Sequence, residues 1–478
     1  MGASAPRSLL IPLIVACALF MENLDSTVLA TALPAIARSL GEVPLRLNLG
    51  ITSYLFSLAV FIPISGWMAD RFGARSVFCT AIVIFTTGSI LCGFSDSLWQ
   101  FVAARIFQGL GGAMMVPVGR LVLLRTTPKS ELVSAMAYVT IPALVGPVIG
   151  PPLGGFITTY FSWRWIFWIN VPIGIIGVSL ALSFIGNIRE STVGALDFRG
   201  FLLTAIGFTG LIFGFEFIGR GVIPIPVALG LMVVGAIGLA IYVRHARQTV
   251  APLLDLSLLR LDTFRAGVVG GFMFRVGVGA IPFLMPLMLQ VGFGYNPLHS
   301  GLLTFAAAAG ALLMKTSAAP ILRRFGFRRV LIFNAAISAA FLASYALFRA
   351  TTPAFVIFGL LLLGGFFRSL EFTSLNTISY ADVGRDRMSA ATSFASMVQQ
   401  LSMSVGVGVA AIILHFTVLT RHGDTLVADD FINAFLIVAA MSSCSIFMFN
   451  RLPRDAGAEL ISTKYGRGQA QQPSSQAS

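Results

Sequence analysis

The chain has 478 residues, of which 56% are hydrophobic and only 11% are charged, and its formal net charge is +13. Because a soluble domain is about a quarter charged, this composition excludes an ordinary soluble globular protein. A strongly positive charge can indicate a nucleic-acid-binding surface. Here the cations gather between alternate apolar stretches, as the positive-inside rule describes for membrane proteins, so we expect no nucleic-acid binding.

Fourteen apolar stretches predict fourteen transmembrane helices, since roughly 20 apolar residues cross a bilayer. They begin near residues 9, 48, 77, 98, 132, 165, 199, 225, 264, 300, 328, 353, 390 and 430. The uneven distribution of arginine and lysine predicts that both termini are cytoplasmic. We therefore predict an all-α polytopic membrane protein.

The stretches divide into two predicted six-helix bundles, 1–188 and 263–452, joined by a linker, 189–262, that contains helices seven and eight. Residues 453–478 are predicted to be a disordered cytoplasmic tail. A short repeat supports two pseudo-symmetric bundles, because Arg71-Phe72-Gly73 follows the second stretch and Arg324-Phe325-Gly326 follows the tenth. Duplicated halves are common in secondary transporters, where the substrate binds near midplane at their interface.

Two charged residues lie deep inside apolar stretches, Asp25 in the first and Arg105 in the fourth. Ionisable residues in a membrane are costly and usually functional. With a rise of about 1.5 Å per residue, both lie at similar depth, so we predict that they interact directly or through water. The alternative is that each is satisfied separately. Glu22, one turn before Asp25, is either a second proton site or an acid that faces an outer cavity.

The loop after the second stretch reads Gly-x-x-x-Asp-Arg-x-Gly-x-Arg and comprises Gly66, Asp70, Arg71, Gly73 and Arg75. Its glycines allow close helix approach and a tight turn. The aspartate can pair with Arg75 or lie at the N-terminus of a neighbouring helix. We interpret the loop as a latch at a cytoplasmic gate, and the alternative is a solvated turn.

The fifth stretch is rich in glycine and proline. Glycines spaced four apart permit tight helix packing, and prolines bend a helix. A kinked, close-packed gate helix is the functional interpretation, and a simple packing motif is the alternative. The residues concerned are Gly146, Pro147, Gly150, Pro151, Gly154 and Gly155.

Further polar residues at depth are candidates for a substrate cavity. Arg275 is too central to reach the membrane surface and needs a partner, for which Glu371 is the candidate. Arg368 and Glu371 are three residues apart and can pair on one helix face, and Lys315 either extends to the interface or is buried. The predicted cavity residues are Asn23, Gln108, Arg275, Gln290, Arg368, Glu371, Gln399 and Gln400.

Several of these segments together resemble the Major Facilitator Superfamily, in its fourteen-helix drug:proton antiporter branch (the EmrB/QacA type). They are Leu24 to Pro34, the loop around Asp70, Arg105 to Gly112, Gly146 to Gly155 and Trp163 to Gly174. Pro282 to Tyr295 resembles the HsrA/MdtD subgroup. Two positions depart from the family pattern: Ala74 replaces a usual basic residue, and Arg323 stands where the second loop would have its acid.

The resemblance implies proton antiport by alternating access, exporting drugs or toxic metabolites across a bacterial inner membrane. It also implies that Asp25 and Arg105 take part in proton coupling, and that the glycine-rich fifth helix marks an antiporter. A proton-coupled or facilitative transporter of one metabolite is the alternative function.

An intramembrane enzyme is a remote alternative, because the chain has no His-Glu-x-x-His, Gly-x-Ser-x-Gly or phosphate-loop motif. We therefore expect no enzymatic activity, no metal site and no cofactor beyond the proton gradient. The expected partners are a small-molecule substrate, protons and the lipid bilayer. We expect a monomer and leave a periplasmic adaptor open.

Overall fold

The computed structural model of the protein describes residues 5–42, 44–190, 193–220, 223–421 and 426–461, which are largely helical and contain no strand. A helix lies at each of the fourteen predicted positions, and we number these helices α1 to α14. They are α1 (Ala5–Leu40), α2 (Pro44–Phe61, continued by Ser65–Phe72), α3 (Ala74–Gly93), α4 (Leu98–Thr126), α5 (Leu132–Tyr160), α6 (Asn170–Phe184), α7 (Phe198–Arg220), α8 (Ile225–Gln248), α9 (Gly271–Leu287, extended by π-helical turns Ala266–Gly270 and Met288–Gly292), α10 (Pro297–Lys315, continued by Ala318–Phe325), α11 (Phe327–Ser344), α12 (Ala354–Ile378), α13 (Met388–Thr420) and α14 (Asp430–Ser443, continued by Ser445–Phe449).

The predicted number of fourteen membrane spans is not confirmed. Within the described residues, twelve helices are long and apolar enough to cross a membrane. A thirteenth span results if the two segments of α10, which are bent by 61° relative to each other, count as one. The helix at the predicted fifth position, α5, is continuous but is not among these spans.

The packing of the helices repeats with an offset of eight helices. In the first half α1 packs against α5 and α6, and in the second half α9 packs against α13 and α14. Likewise α2 packs against α4 as α10 packs against α12, and α3 contacts α4 and α6 as α11 contacts α12 and α14. A duplicated six-helix unit produces this pattern. The two halves, α1–α6 and α9–α14, confirm the predicted fold class; the domain boundaries themselves stay predictions. The predicted disorder of the tail is wrong for residues 453–461, which include the 3-10 turn Ala458–Leu460 with Leu460 buried, and residues 462–478 lie outside the described part of the chain.

The sequence repeat after α2 and α10 is also a structural repeat. Gly73 has a φ of 91° and Gly326 has a φ of 75°, values that favour glycine because it has no Cβ. The N–H of Gly73 donates to the carbonyl of Ala69, and that of Gly326 donates to the carbonyl of Leu322. Both loops therefore end their helix with the same glycine turn.

The inserted helices α7 and α8 form a hairpin on one side of the molecule. They pack against each other, and α7 also contacts α2 and α13, one helix from each half. The segment after α8 is fixed to the start of α13 because Arg387 donates two bonds to Asp255, at 3.0 and 2.6 Å. Burial raises the pKa of Asp255, but hydrogen bonds from Ser257 and Arg387 outweigh it and hold the pKa below its usual value.

The glycines of α5 bring this helix against α1. A Cβ on Gly150 would lie 2.2 Å from Oγ1 of Thr27, and one on Gly146 would lie 3.0 Å from the backbone nitrogen of Leu24. Gly154 is buried as well, whereas a Cβ on Gly155 would meet open space. Glycines therefore allow α5 to contact α1 on both sides of Asp25 in sequence.

For the predicted prolines of α5, the structure describes the backbone helix but not the side chains. Pro147 and Pro151 belong to the helix, which runs from Leu132 to Tyr160 without a break. Their side chains lie outside the described part of the structure. The predicted kink of this helix therefore stays a prediction.

We expect Gly150→Ala to destabilise the protein and Gly155→Ala to leave it unchanged or slightly more stable. At position 150 the new Cβ would also lie 2.8 Å from Cβ of Thr27, so rotating the threonine side chain does not relieve the clash. Overpacking of this kind costs about 1–3 kcal/mol. Thermal unfolding of the two purified variants checks this expectation, and equal midpoints for both would contradict it.

Candidate functional site

The predicted contact between Asp25 and Arg105 is present and direct. Nη1 of Arg105 lies 2.6 Å from Oδ2 of Asp25. Asp25 is 3% exposed and Arg105 is 1% exposed, so the pair is enclosed within the first half. A buried ion pair tolerates this environment only with excellent geometry and further hydrogen bonds.

Those further bonds to the carboxylate come from amide side chains on two other helices. Oδ1 of Asp25 accepts bonds from Gln108 on α4, at 2.9 Å, and from Asn170 on α6, at 3.2 Å. The hydroxyl of Ser89 on α3 accepts from the same two amides, at 2.7 and 3.1 Å. We call Asp25, Arg105, Gln108, Asn170 and Ser89 the Asp25 network; it joins four helices around one carboxylate.

The guanidinium of Arg105 is also held by α2. Its Nε donates to the carbonyl of Gly50 at 3.1 Å, and its Cζ lies 4.6 Å from the centre of the Tyr54 ring. The ring face attracts a cation. A planar guanidinium can satisfy a carboxylate, a carbonyl and a ring at once, which a lysine ammonium cannot do with the same geometry.

A cavity of about 210 Å³ borders the Asp25 network. Glu22, Tyr54 and Arg105 line it from the first half, and Gln400 lines it from α13 of the second half. Oε2 of Glu22 is buried and accepts no hydrogen bond within the part of the chain that the structure describes. Since Asp25 does not line the cavity, Arg105 is the residue that connects the cavity to the buried carboxylate.

The end of α2, around Asp70, contacts the other half of the molecule. Asp70 accepts a bond from Arg125 of α4 at 2.9 Å and another from the hydroxyl of Ser389, in the first turn of α13. The predicted pairing with Arg75 is wrong, because Arg75 donates to the carbonyl of Ile185 at 3.3 Å. Asp70 instead lies beside the start of a neighbouring helix, which was the other predicted possibility.

Other contacts between the halves gather on the same side as Asp70. Ser65 and Ser393 share a hydrogen bond at 2.8 Å, and Lys129 pairs with Glu459 at 2.7 Å. A Cβ on Gly66 would lie 2.6 Å from the carbonyl oxygen of Ser389. The halves therefore meet closely at this end; Arg71 is exposed, and Gly73 forms the glycine turn described above.

The predicted cavity residues are dispersed. Asn23 and Gln400 line the cavity. Gln108 is completely buried in the Asp25 network, and Gln290 is exposed near the far end of α9, where it donates to Ser300 at 3.4 Å. Binding of a substrate by any of these residues stays a prediction.

The predicted pairing of Arg275 with Glu371 is wrong. Arg275 extends toward the start of α9, as side chains on helices do, and donates to Asn376 at 3.1 Å. Glu371 is completely buried and accepts a bond from Asn334 at 2.8 Å. The predicted pairing of Arg368 with Glu371 is also absent among the described hydrogen bonds and ion pairs, because Glu371 is bonded to Asn334.

Two further predictions concern Lys315 and Gln399. Lys315 is 6% exposed and donates to the Thr373 hydroxyl at 2.9 Å, so it does not extend to the membrane interface. Gln399 accepts a bond from Arg120 at 3.4 Å. Both therefore contact polar side chains inside the protein.

The sequence identifies the family of this arrangement. Residues 15–407 match the pattern of the Major Facilitator Superfamily, which is well over half of the chain. The chain belongs to the Major Facilitator Superfamily. It is therefore a multi-pass membrane transporter and not an enzyme.

Two relatives are similar over nearly the whole chain. A protein of Klebsiella pneumoniae subsp. pneumoniae with the name "Putative multidrug resistance protein MdtD" is 40% identical over 467 residues, which cover 95% of this chain and 97% of that protein. A protein of the same name from Escherichia coli O6:H1 is 40% identical over 453 residues, covering 92% and 94%.

Solved structures of other superfamily members share the fold. The human organic anion transporter MFSD10 (TETRAN) superposes with a TM-score of 0.68 at 15% identity, covering 93% of this chain and all of that one, 100%. The proton:xylose symporter XylE superposes with a TM-score of 0.66 at 15% identity, covering 95% and 98%. At this identity the similarity concerns the fold alone.

Sequence reasoning missed several partners of the superfamily site. Asn170 was included only as part of a family-like segment, although a lone amide in an aromatic run is a usable signal. Ser89 and Tyr54 gave no signal, because serine and tyrosine are common in membrane helices. Arg125 and Ser389 lie at helix ends, where charged and polar side chains are common and indicate no particular partner.

We expect Arg105→Ala to destabilise the protein because it leaves the carboxylate of Asp25 buried and unpaired. Breaking a buried pair in this way costs about 3–5 kcal/mol. The double variant with Asp25→Asn should recover part of that loss, and thermal unfolding of the three variants measures the coupling.

The control for this cycle is Arg164→Ala, which breaks a pair with Asp96 whose side chains are 27% and 80% exposed. An exposed pair contributes about 0–1 kcal/mol. If the Arg105 and Arg164 variants lost the same stability, the buried network would not be a stabilising unit.

We expect Asp70→Asn to loosen the contact between the halves, because it weakens the bonds from Arg125 and Ser389. The readout is maleimide labelling of Ser393→Cys in a chain without its other cysteines. Hydrogen bonds to charged groups contribute about 1.5–3 kcal/mol, so labelling should accelerate by about tenfold or more. Arg71→Gln, which changes an exposed neighbour, should have no effect; equal labelling in both variants would show that Asp70 is not a latch.

Proposed function

We propose that the protein is a proton-coupled exporter of small molecules that works by antiport and alternating access. The observation that carries this proposal is the buried Asp25 network beside a cavity between the two halves. A carboxylate that is enclosed at membrane depth and linked to the cavity by an arginine has the properties of a regulated proton site. The names of the curated relatives support multidrug resistance as the biological role.

The Asp25 network gives a physical basis for coupling. When Asp25 is ionised, it attracts Arg105 and fixes α1 to α4. When Asp25 is protonated, the charge of Arg105 is no longer balanced, and its remaining contacts are a carbonyl, an amide and the ring of Tyr54. Because Arg105 also lines the cavity, protonation changes the charge that a substrate meets there.

The cavity offers a route by which protons reach this site. One carboxylate oxygen of Glu22 accepts no hydrogen bond from the described residues, and Glu22 lines the cavity together with Arg105. In this proposal Glu22 exchanges protons with the cavity and Arg105 moves aside when Asp25 takes up a proton. Glu22 thus acts as a second acid in the same pathway.

The latch around Asp70 supplies the gate. Its contacts close one end of the junction between the halves, and we propose that this end is cytoplasmic, with both termini on that side of a bacterial inner membrane. Opening then requires Asp70 to leave Ser389 of α13 while Arg125 retains Glu190, to which it also donates at 3.0 Å. A secondary transporter of this kind needs a proton gradient and no cofactor.

We expect Asp25→Asn to abolish substrate efflux driven by a pH gradient while the protein still folds. Asparagine keeps the size of aspartate and one acceptor oxygen, but its NH2 group replaces the other acceptor and the side chain cannot take up or release a proton. The measurement is gradient-driven transport in proteoliposomes, with substrates found by a growth screen in an efflux-deficient bacterium. Full gradient-driven transport by this variant would falsify the proposed role.

A matched control is Asp430→Asn, which removes another buried carboxylate. Asp430 is 1% exposed and pairs with Arg421 at 3.0 Å, away from the Asp25 network. This variant should retain coupled transport. A loss of coupling in both variants would mean that Asp25 has no special role.

A further inference from the structure

Two arginines from opposite halves lie at the junction between the bundles. Arg120 of α4 donates to the hydroxyl of Tyr380 at 3.3 Å and to Gln399 at 3.4 Å. Arg275 of α9 donates to Asn376 at 3.1 Å. Within the described part of the chain all acceptors of the two arginines are neutral, and these bonds are long for charge-assisted ones, which measure about 2.7–2.9 Å.

Arg275 is poorly satisfied for a group so deeply buried. It is 4% exposed, and its Nε is buried without a hydrogen-bond partner in the described part of the chain. Its second bond, to the carbonyl of Gly267, is 3.4 Å long. An uncompensated buried charge is costly, so the site has an unused capacity to bind an anion.

The two guanidinium groups act on the same small region. Arg120 donates to Tyr380 and Arg275 donates to Asn376, and these two acceptors are four residues apart in sequence, where α12 ends. Glu371 of the same helix accepts its hydrogen bond from Asn334. Arg120 also donates to Gln399, and the next residue, Gln400, lines the cavity.

We propose that Arg120 and Arg275 bind an anionic group of the exported substrate, a carboxylate or a phosphate, between the two halves. A guanidinium presents paired N–H donors in the geometry that these groups accept. This inference rests on the proposed export function and adds to it the class of substrate. It concerns residues separate from the Asp25 network, so the two can be tested apart.

The location of the pair predicts how such an anion would act. One arginine belongs to each half, so their repulsion favours separation of the halves at the end where Asp70 closes the junction. An anion between them removes the repulsion and attracts both. Binding of an anionic substrate from that side would therefore promote closure of the gate behind it.

The test measures binding to the purified protein without any gradient. The probes are benzoate, terephthalate and inorganic phosphate, with neutral benzamide as the comparison, each added at constant ionic strength. Binding is measured as a concentration-dependent rise in the unfolding temperature. We expect at least one anion to stabilise the wild-type protein more than benzamide does.

We expect Arg120→Gln and Arg275→Gln each to weaken that binding by about 10- to 100-fold, because each removes a charge-assisted interaction. Arg275→Lys keeps the charge but loses the paired N–H donors of the guanidinium, so its affinity should lie between those of wild type and Arg275→Gln. The matched control is Arg349→Gln, an exposed arginine of the second half whose acceptors, the carbonyls of Ala346 and Phe348, are also neutral; it should bind like wild type. A fold defect would appear as a lowered unfolding temperature without any probe.

The proposal is overturned if no anion stabilises the wild type, or if Arg275→Gln and Arg349→Gln bind equally well. A lipid phosphate could supply the same chemistry, so the titration is repeated with phosphatidylglycerol in the micelles. If only the lipid binds, and binding depends on Arg275, the substrate assignment is overturned. The two proposals can fail separately. If the arginine variants lose anion binding but Asp25→Asn still exports with the proton gradient, proton coupling through Asp25 is refuted and the anion site is retained.

Discussion

The structure depends on one enclosed charge pair. Asp25 and Arg105 attract each other where little water screens them, and the amides of Gln108 and Asn170 complete the carboxylate's hydrogen bonding. Removing water strengthens the attraction and also makes each charge costly to leave alone. The polar contacts among α1, α3, α4 and α6 therefore depend on the ionised state of Asp25. Protonation of Asp25 changes the electrostatic interactions of all four helices.

The two halves share their packing but differ in their charges. The first half places an acid opposite its buried arginine, whereas the second half buries Arg275 against an asparagine and Lys315 against a threonine. The same asymmetry holds at the loops, where Asp70 of the first half is ion-paired and Arg323 stands at the corresponding place in the second. The two copies of the scaffold therefore differ in charge: the first half holds a balanced ion pair, and the second half holds an excess of positive charge.

The sequence predicted the helices and the main ion pair because both depend on strong, local signals. Apolar length locates a helix, and two charges at equal depth in apolar helices have few other partners than each other. The partners of Arg275 and Asp70 could not be predicted, because the choice between Glu371 and Asn376, or between Arg75 and Arg125, depends on helix rotation and side-chain direction. The pattern of Gly146 and Gly150 did indicate close packing, but only the structure shows that the neighbour is α1 beside Asp25.

The inserted hairpin has a mechanical consequence. α7 packs more extensively against α13 than against α2, and Asp255 ties the segment after α8 to the base of α13. If the two halves rock relative to each other, the hairpin therefore moves with the second half and slides along α2. On this flank an additional helix pair covers the junction between the halves, whereas α5 and α10 contact each other directly.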